Sequence, residues 1–405
     1  MYLKKEILVH MQLIDSISLY VLDIIMFAVL LTWINLLIYC RRSLKYSPKF
    51  EEVKKFVPKP IPRVSIIVPA LNEEKYIGRC LRTLLDQDYS NLEIISIDDG
   101  STDSTLLTMK SVAPTDHRLR VLEAGQRPAG WVGKNWACFI GYENSTGDIL
   151  IFTDADTVHS EQTVTLAVNH MLQEDLSAIT AIPKLVADDF LTCVTLPLLS
   201  VFLQTKFSPL KVNDSANNLG YFFGSFFAII RGEYEYIGTH KEVHTEIIED
   251  GAIGSLVKER GIRMKMFRGE DYVDALWARD RQGLWNGLLR LLVPMHRDQG
   301  KKSGPMVVAI AFLMVFPFIA LPTGIYFTLL LESSYLGLLL AGAALVAVCV
   351  MMMTTIHILS QSLKNSKKLA LGSLIGAAVI TLSLVISMFR ANKPQSFAWK
   401  GRTYV

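Results

Sequence analysis

Four long apolar runs constrain this chain more than any other feature of its sequence. Residues 19–40 are almost unbroken in hydrophobicity, interrupted by Asp23, Thr32 and Asn35. As a helix this stretch rises roughly 33 Å, about one bilayer hydrocarbon core. It lacks the small-residue cleavage site of a signal peptide and reads as an uncleaved anchor. Runs 306–331, 335–359 and 369–389 are each long enough to cross as well. Pro317 and Pro322 predict a kink in the first of these three. The alternative for all four, buried core helices, fits poorly with runs this long and this free of charge.

Flanking charge sets the expected orientation. After the first run come Arg41, Arg42, Lys45, Lys49, Lys54, Lys55, Lys59 and Arg63, against Lys4 and Lys5 before it. Positive charge stays inside, so segment 41–305 is expected in the cytoplasm of a multi-pass cell-membrane protein. The link 332–334 carries no basic residue and fits outside. The link 360–368 carries Lys364, Lys367 and Lys368 and fits inside. A fourth crossing would place 390–405 outside although it holds Arg390, Lys393, Lys400 and Arg402. Either the bias fails there or one run is re-entrant.

Composition narrows the class. Hydrophobic residues make up 51% and charged residues 20%, which excludes a disordered chain. A net charge of +3 argues against nucleic acid as a partner. The five cysteines include no CxxC pair, so neither a disulfide framework nor a zinc site is expected. The expected domains are a tail and anchor over 1–40, a basic Pro-containing linker over 41–62, a catalytic domain over 63–305, transmembrane helices over 306–389 and a basic tail over 390–405.

Within the catalytic segment, strand and helix patterns alternate. Strands are predicted at 64–68, 92–97, 119–122 and 149–153, and helices at 72–88, 102–112, 133–144 and 160–174. This order predicts an α/β domain whose mainly parallel sheet is covered on both faces. Ligands of such sheets bind at the carboxyl ends of the strands. There the chain places Pro69-Ala70-Leu71-Asn72-Glu73, then Asp98-Asp99-Gly100-Ser101-Thr102-Asp103, then Asp154-Ala155-Asp156. Three strand ends thus bring carboxylates to one rim, and such repulsion invites a cation or a donor-rich ligand. Asp154 and Asp156, two apart on extended chain, would point the same way. A carboxylate pair of this kind suits Mg²⁺ or Mn²⁺ shared with substrate phosphates. Taken alone the pair is also explained by a surface turn, and Ser101 or Thr102 is expected to cap the following helix.

These motifs, with Ile248-Glu249-Asp250 further on, resemble a family 2 glycosyltransferase of the GT-A fold over roughly residues 63–290. The resemblance implies transfer of a sugar from a nucleotide-diphosphate donor, with inversion and a divalent metal, Mg or Mn. It implies that Pro69, Glu73, Asp98 and Asp99 contact the donor nucleoside and that Asp154 lies near the ribose and sugar. Asp156 would ligate the metal, and Asp250 would be the general base with Glu249 beside it. A narrower similarity, in Arg127-Pro-Ala-Gly-Trp-Val-Gly-Lys-Asn-Trp-Ala137 and Trp399-Lys-Gly-Arg402, is to membrane members that glycosylate carotenoids, hopanoids and ceramides.

Some positions stay open between function and packing. Lys134 offers a point charge to donor phosphate. Trp131 divides evenly between acceptor side and core, whereas Trp136 favours core. Arg281 and Trp285, one helical turn apart, share a face that suits the acceptor or a membrane-surface helix. Where relatives show Gly-Gly-His, this chain has Gly238-Thr239-His240. His240 and His244 have zinc-ligand spacing, but a surface pair is favoured. Residues 190–207, broken by Pro197, are short for a span and are expected to rest on the membrane. The expected activity is transfer of one sugar to a lipid hydroxyl. A processive polysaccharide synthase and a non-catalytic nucleotide-binding membrane protein or transporter are the alternatives.

Overall fold

The computed structural model describes residues 2–52, 60–330, 334–391, 397–399 and 402–404. Lys54, Lys55 and Lys59 of the linker, Glu332 and Ser333 of the second link, and Lys393, Lys400 and Gly401 of the tail lie outside the described residues. The chain divides into two compact units. One comprises residues 45–187, 206–278 and 396–405; the other comprises 1–44, 188–205 and 279–395.

The first unit is built on strands β1 (Val64–Ala70), β2 (Leu92–Asp98), β3 (Leu119–Glu123), β4 (Ile149–Phe152), β5 (Thr157–His159), β6 (Ala178–Ile182), β7 (Lys184–Ala187), β8 (Phe227–Ile230), β9 (Met264–Arg268) and β10 (Val273–Ala278). Seven of them form one sheet in the order β3-β2-β1-β4-β8-β6-β9. β8 alone runs antiparallel to its neighbours in that sheet. β5, β10 and β7 form a second, three-stranded sheet.

The central strands are β-branched and buried on both faces, as a doubly covered sheet requires. Alternation divides β1 between two cores. Ile66 and Val68 join one, with Ile77, Cys80, Leu81, Leu84 and Leu85 of helix Ile77–Leu85. Ile67 joins the other, with Ala137 and Cys138 of helix Gly133–Glu143. The first helix starts at Ile77 rather than 72, because Asn72 takes a left-handed conformation, φ +53°, that ends the extended chain in a turn.

Register places the site. β1 pairs with β2 up to Ala70↔Asp98, whereas β4 pairs with β1 only as far as Ile67↔Phe152. The motif-bearing ends of β2, β1 and β4 are therefore side by side. Pro69 falls beyond the last β4 partner, where its missing N–H costs no ladder bond. Because β8 is antiparallel and begins opposite Phe152, residues 224–226 just before it reach the same rim.

The second unit is helical. Its long helices are Tyr2–Tyr46, Phe190–Phe207, Arg281–Gln299, Ser303–Leu330, Ser334–Gln361 and Ser373–Ala391. Trp33 Nε1 donates to the Leu313 carbonyl at 2.8 Å, and Ser43 Oγ donates to Gln204 Oε1 at 2.9 Å. Among the described residues, five segments are long and apolar enough to cross a membrane: Ser16–Tyr46, Phe190–Val212, Ser303–Leu329, Tyr335–Gln361 and Lys367–Ala391.

Two expectations change here. Pro197 does not break its helix, which runs continuously over Phe190–Phe207. Nor is the segment short for a span, since Phe190–Val212 is long and apolar enough to cross, although its flanks do not fit a single crossing. β6 precedes it, β8 follows it, and the two strands hydrogen-bond to each other in one sheet. Leu198 and Leu289 are both buried within the helical unit.

Candidate active site

The loop after β2 is built by its own side chains. Gly100, at φ +76°, turns the chain so that the N–H groups of Gly100 and Ser101 both donate to Asp98 Oδ2 at 3.1 Å. Asp98 is 3% exposed, and its Oδ1 has no hydrogen-bond partner. Asn72 ties the end of β1 to this loop, its Oδ1 accepting from the Thr102 N–H at 2.9 Å. Glu73, also buried, donates its backbone N–H to Thr105 Oγ1 at 2.6 Å. The following helix, Thr105–Val112, starts three residues later than expected, and neither Ser101 nor Thr102 caps it. Asp103 does that work, accepting from the Thr105 N–H at 2.9 Å. These bonds hold Asp103 below the usual carboxylate range against the opposing effect of burial. Ser101 and Thr102 are engaged by Asn72 instead.

The charged centre lies across the rim. Lys134, in the first turn of its helix, places Nζ 2.6 Å from Asp154 Oδ1 and 2.6 Å from Glu249 Oε1. Glu249 and Asp250 open helix Glu249–Glu259, where carboxylates meet the positive end of the helix dipole. Asp250 Oδ2 accepts the Gly224 N–H, and Oδ1 accepts the Gly251 N–H at 2.9 Å. Burial, then the adjacent Glu249 charge, pushes Asp250 up to about 6. Burial alone would lower Lys134, but Asp154, Glu249 and Asp250 outweigh it and hold the ammonium well above its ordinary value. The arrangement is one cation among three carboxylates, one of which is poised to exchange a proton near neutrality.

Asp154 and Asp156 do not lie on extended chain. Residues 155–156 form a turn between β4 and β5, so strand alternation does not orient them. Both are half-buried, and both charges act on the Cys80 thiol, which burial first of all pushes up to about 12. Among the described residues no group of three or more His, Cys, Asp or Glu side chains forms a metal cage. The donor set nevertheless fits Mg²⁺ or Mn²⁺, which bind through one or two carboxylates and complete their shell with substrate phosphates and water.

Trp131 rests half-buried against Trp136, Phe139 and His244, at ring separations of 5.2, 5.5 and 5.4 Å. Trp136 donates Nε1–H to the Ala124 carbonyl at 2.9 Å. Arg281 and Trp285 lie on the opening turns of helix Arg281–Gln299 in the helical unit. The two histidines are not a surface pair. His240 is 1% exposed, bonds Tyr234 Oη at 2.6 Å and stacks near Phe152. Burial, then Lys134, pushes it down to about 3. Thr239 sits at φ +61°, directly after Gly238 at φ +94°. Two successive left-handed residues explain why a second glycine suits that position.

Sequence reasoning missed Gly224. A Cβ there would lie 2.9 Å from Asp250 Oδ2, 3.0 Å from Lys134 Nζ and 3.3 Å from Asp154 Oδ2. Its signal was a lone glycine inside Phe222-Phe223-Gly224-Ser225-Phe226-Phe227. Gly224→Ala is expected to fold and to lose about tenfold or more of transfer activity, since small misplacements of reacting groups are costly. Steady-state kinetics beside a thermal melt checks this, and wild-type kinetics would remove Gly224 from the site.

Residues 65–237 match the family described as Glycosyl transferase family 2. This segment is a family 2 domain, and the chain is a glycosyltransferase. The 4,4'-diaponeurosporenoate glycosyltransferase of Staphylococcus aureus strain bovine RF122 / ET3-1 is 26% identical over 284 residues, 68% of this chain and 72% of that protein. The protein of the same name from strain USA300 is 27% identical over 215 residues. That match spans 52% of this chain and 55% of the relative's length. The structure of the mannosyltransferase PcManGT from Pyrobaculum calidifontis, in complex with GDP-Man and Mn2+, shares the fold with a TM-score of 0.54. It is 19% identical, and the match covers 92% of this chain and 100% of that one.

Proposed function

We propose that this chain moves a single sugar from a nucleotide-diphosphate donor to a hydroxyl of a membrane lipid, with inversion. The observation that carries the reading is the convergence of Asp154, Glu249 and Asp250 on Lys134 at the strand-end rim, beside the loop built on Asp98 and Asn72. The lipid acceptor is supported by relatives named for a carotenoid acid and by the apolar helices.

In this reading Pro69, Glu73, Asp98 and Asp99 hold the nucleoside at the ends of β1 and β2, and Asp154 orients the donor sugar. Lys134 holds Asp154 and Glu249 in place through its two ion pairs. Asp250 takes the proton that the acceptor hydroxyl loses as it attacks. Asp156 would hold Mg²⁺ or Mn²⁺ against the diphosphate, supplying neutralisation of the leaving group's charge. Trp131, Arg281 and Trp285 are assigned to the acceptor side. The catalytic domain is assigned to the cytoplasm on the excess of Lys and Arg after the first span.

Membranes containing the chain, incubated with a panel of radiolabelled nucleotide sugars, are expected to pass label into the organic phase. EDTA should abolish this, Mg²⁺ or Mn²⁺ should restore it, and Asp156→Ala should stay inactive at any metal concentration. Label in a water-soluble polymer would point instead to a processive synthase. Undiminished transfer in EDTA would remove the metal.

A further inference from the structure

Beneath the Asp154–Asp156 turn lies a buried polar cluster that the proposed chemistry leaves unused. Thr153 and Thr157 flank the turn, and His159 follows on β5. Their exposures are 2%, 1% and 5%. Thr157 Oγ1 donates to the Asp154 carbonyl at 2.7 Å. Thr153 Oγ1 donates to the Ser225 carbonyl at 2.7 Å. Each hydroxyl has one proton, so both are committed to carbonyls. His159 Nε2 lies 2.9 Å from each of these oxygens. The two hydroxyls also lie 3.0 Å apart, and with both protons turned to carbonyls the imidazole is the group left to donate. The accounting assigns the Nε2–H tautomer, with that one N–H shared between two threonines. Nδ1 then carries a lone pair, and it is buried without a hydrogen-bond partner among the described residues.

The consequence is mechanical. Through Thr157 the ring reaches the backbone of Asp154. Through Thr153 it reaches Ser225, whose neighbour Gly224 holds Asp250 by its N–H. We propose that His159 is a positioning residue that fixes the turn bearing Asp154 and Asp156 relative to the segment that holds Asp250. Its task is to keep the two aspartates set for the donor diphosphate and its cation, and in this respect it rests on the functional reading above. A ring kept only for packing would not require a buried, unsatisfied Nδ1. An apolar side chain of that size would pack against Phe226, 5.9 Å away, without that penalty.

Two variants test this in the full-length chain in detergent. His159→Met fills similar space without a donor, and His159→Gln restores an N–H close to the place of Nε2. Mn²⁺ affinity is read by electron paramagnetic resonance in the presence of UDP and, separately, of GDP. Amide exchange at residues 154–157 is read without metal. His159→Met is expected to weaken Mn²⁺ binding about tenfold or more, as loss of a supporting partner behind a metal ligand does. It should also speed exchange across the turn, and His159→Gln should keep both close to wild type. Unchanged exchange and affinity in His159→Met overturns the proposal. Equal damage in both variants also overturns it, because ring packing is then the role. If the wild-type protein binds no Mn²⁺ with either nucleotide, the metal reading fails by itself, and the exchange data alone decide for or against His159.

Discussion

Asp250→Asn is expected to lower transfer by about 10²–10⁴-fold while leaving donor binding and folding intact, the range measured when a positioned base is removed. The amide keeps the shape of the side chain and can still accept the Gly224 N–H, giving up only the bond from the Gly251 N–H. What it cannot do is accept the acceptor's proton. The pH profile carries the same signature. Burial and the Glu249 charge raise Asp250 to about 6, and a base works only when ionised. Transfer should therefore rise with pH through about 6 and level off above it. The stability sign is opposite. A carboxyl raised in the folded state favours folding when protonated. That contribution is present below its ordinary 3.8 and is lost as pH climbs through about 6. Near-normal transfer by Asp250→Asn would remove it as base and point to an acceptor that arrives already ionised, such as a carboxylate.

Lys134→Met is expected to damage both stability and chemistry. It strands Glu249, 4% exposed, and Asp154 without their shared cation. Only Glu249 is fully buried, the Lys134 and Asp154 side chains keeping 29% and 36% exposure, so the loss falls at or below about 3 kcal/mol, the low end for a buried pair. The Lys134 charge also holds Asp250 down against burial and Glu249. Without it the acid limb of the pH profile should move above 6, and each unit of movement costs about tenfold in ionised base below the new value. A thermal melt and a pH–rate profile of the variant check both effects. An acid limb still near 6 would show that Lys134 does not govern Asp250.

The expectation of a doubly covered α/β sheet followed from strand and helix periods that alternate cleanly between 64 and 174, and the sheet carries those strands. The later strands were not legible. β8 is four residues at the end of an aromatic-rich stretch, and β7 and β10 carry no strong alternation. Helix starts shifted where side chains intervened, as at Asn72 and Asp103. His240 reads by spacing as half of a metal pair, yet Tyr234, six positions before it, supplies the partner of its buried ring.

By itself the sequence determined the four apolar runs, the acidic motifs and their places at strand ends. These are local properties, set by composition and by period along the chain. Only the tertiary structure decided that Gly224 forms the floor between Lys134 and Asp250 and that Thr153 ties the ring of His159 to the segment before β8. Both depend on β8 turning back antiparallel beside β4, which brings residues some 70 positions apart into hydrogen-bond contact. Pairing of that kind is chosen by the packing of the whole sheet, and no window of sequence contains it.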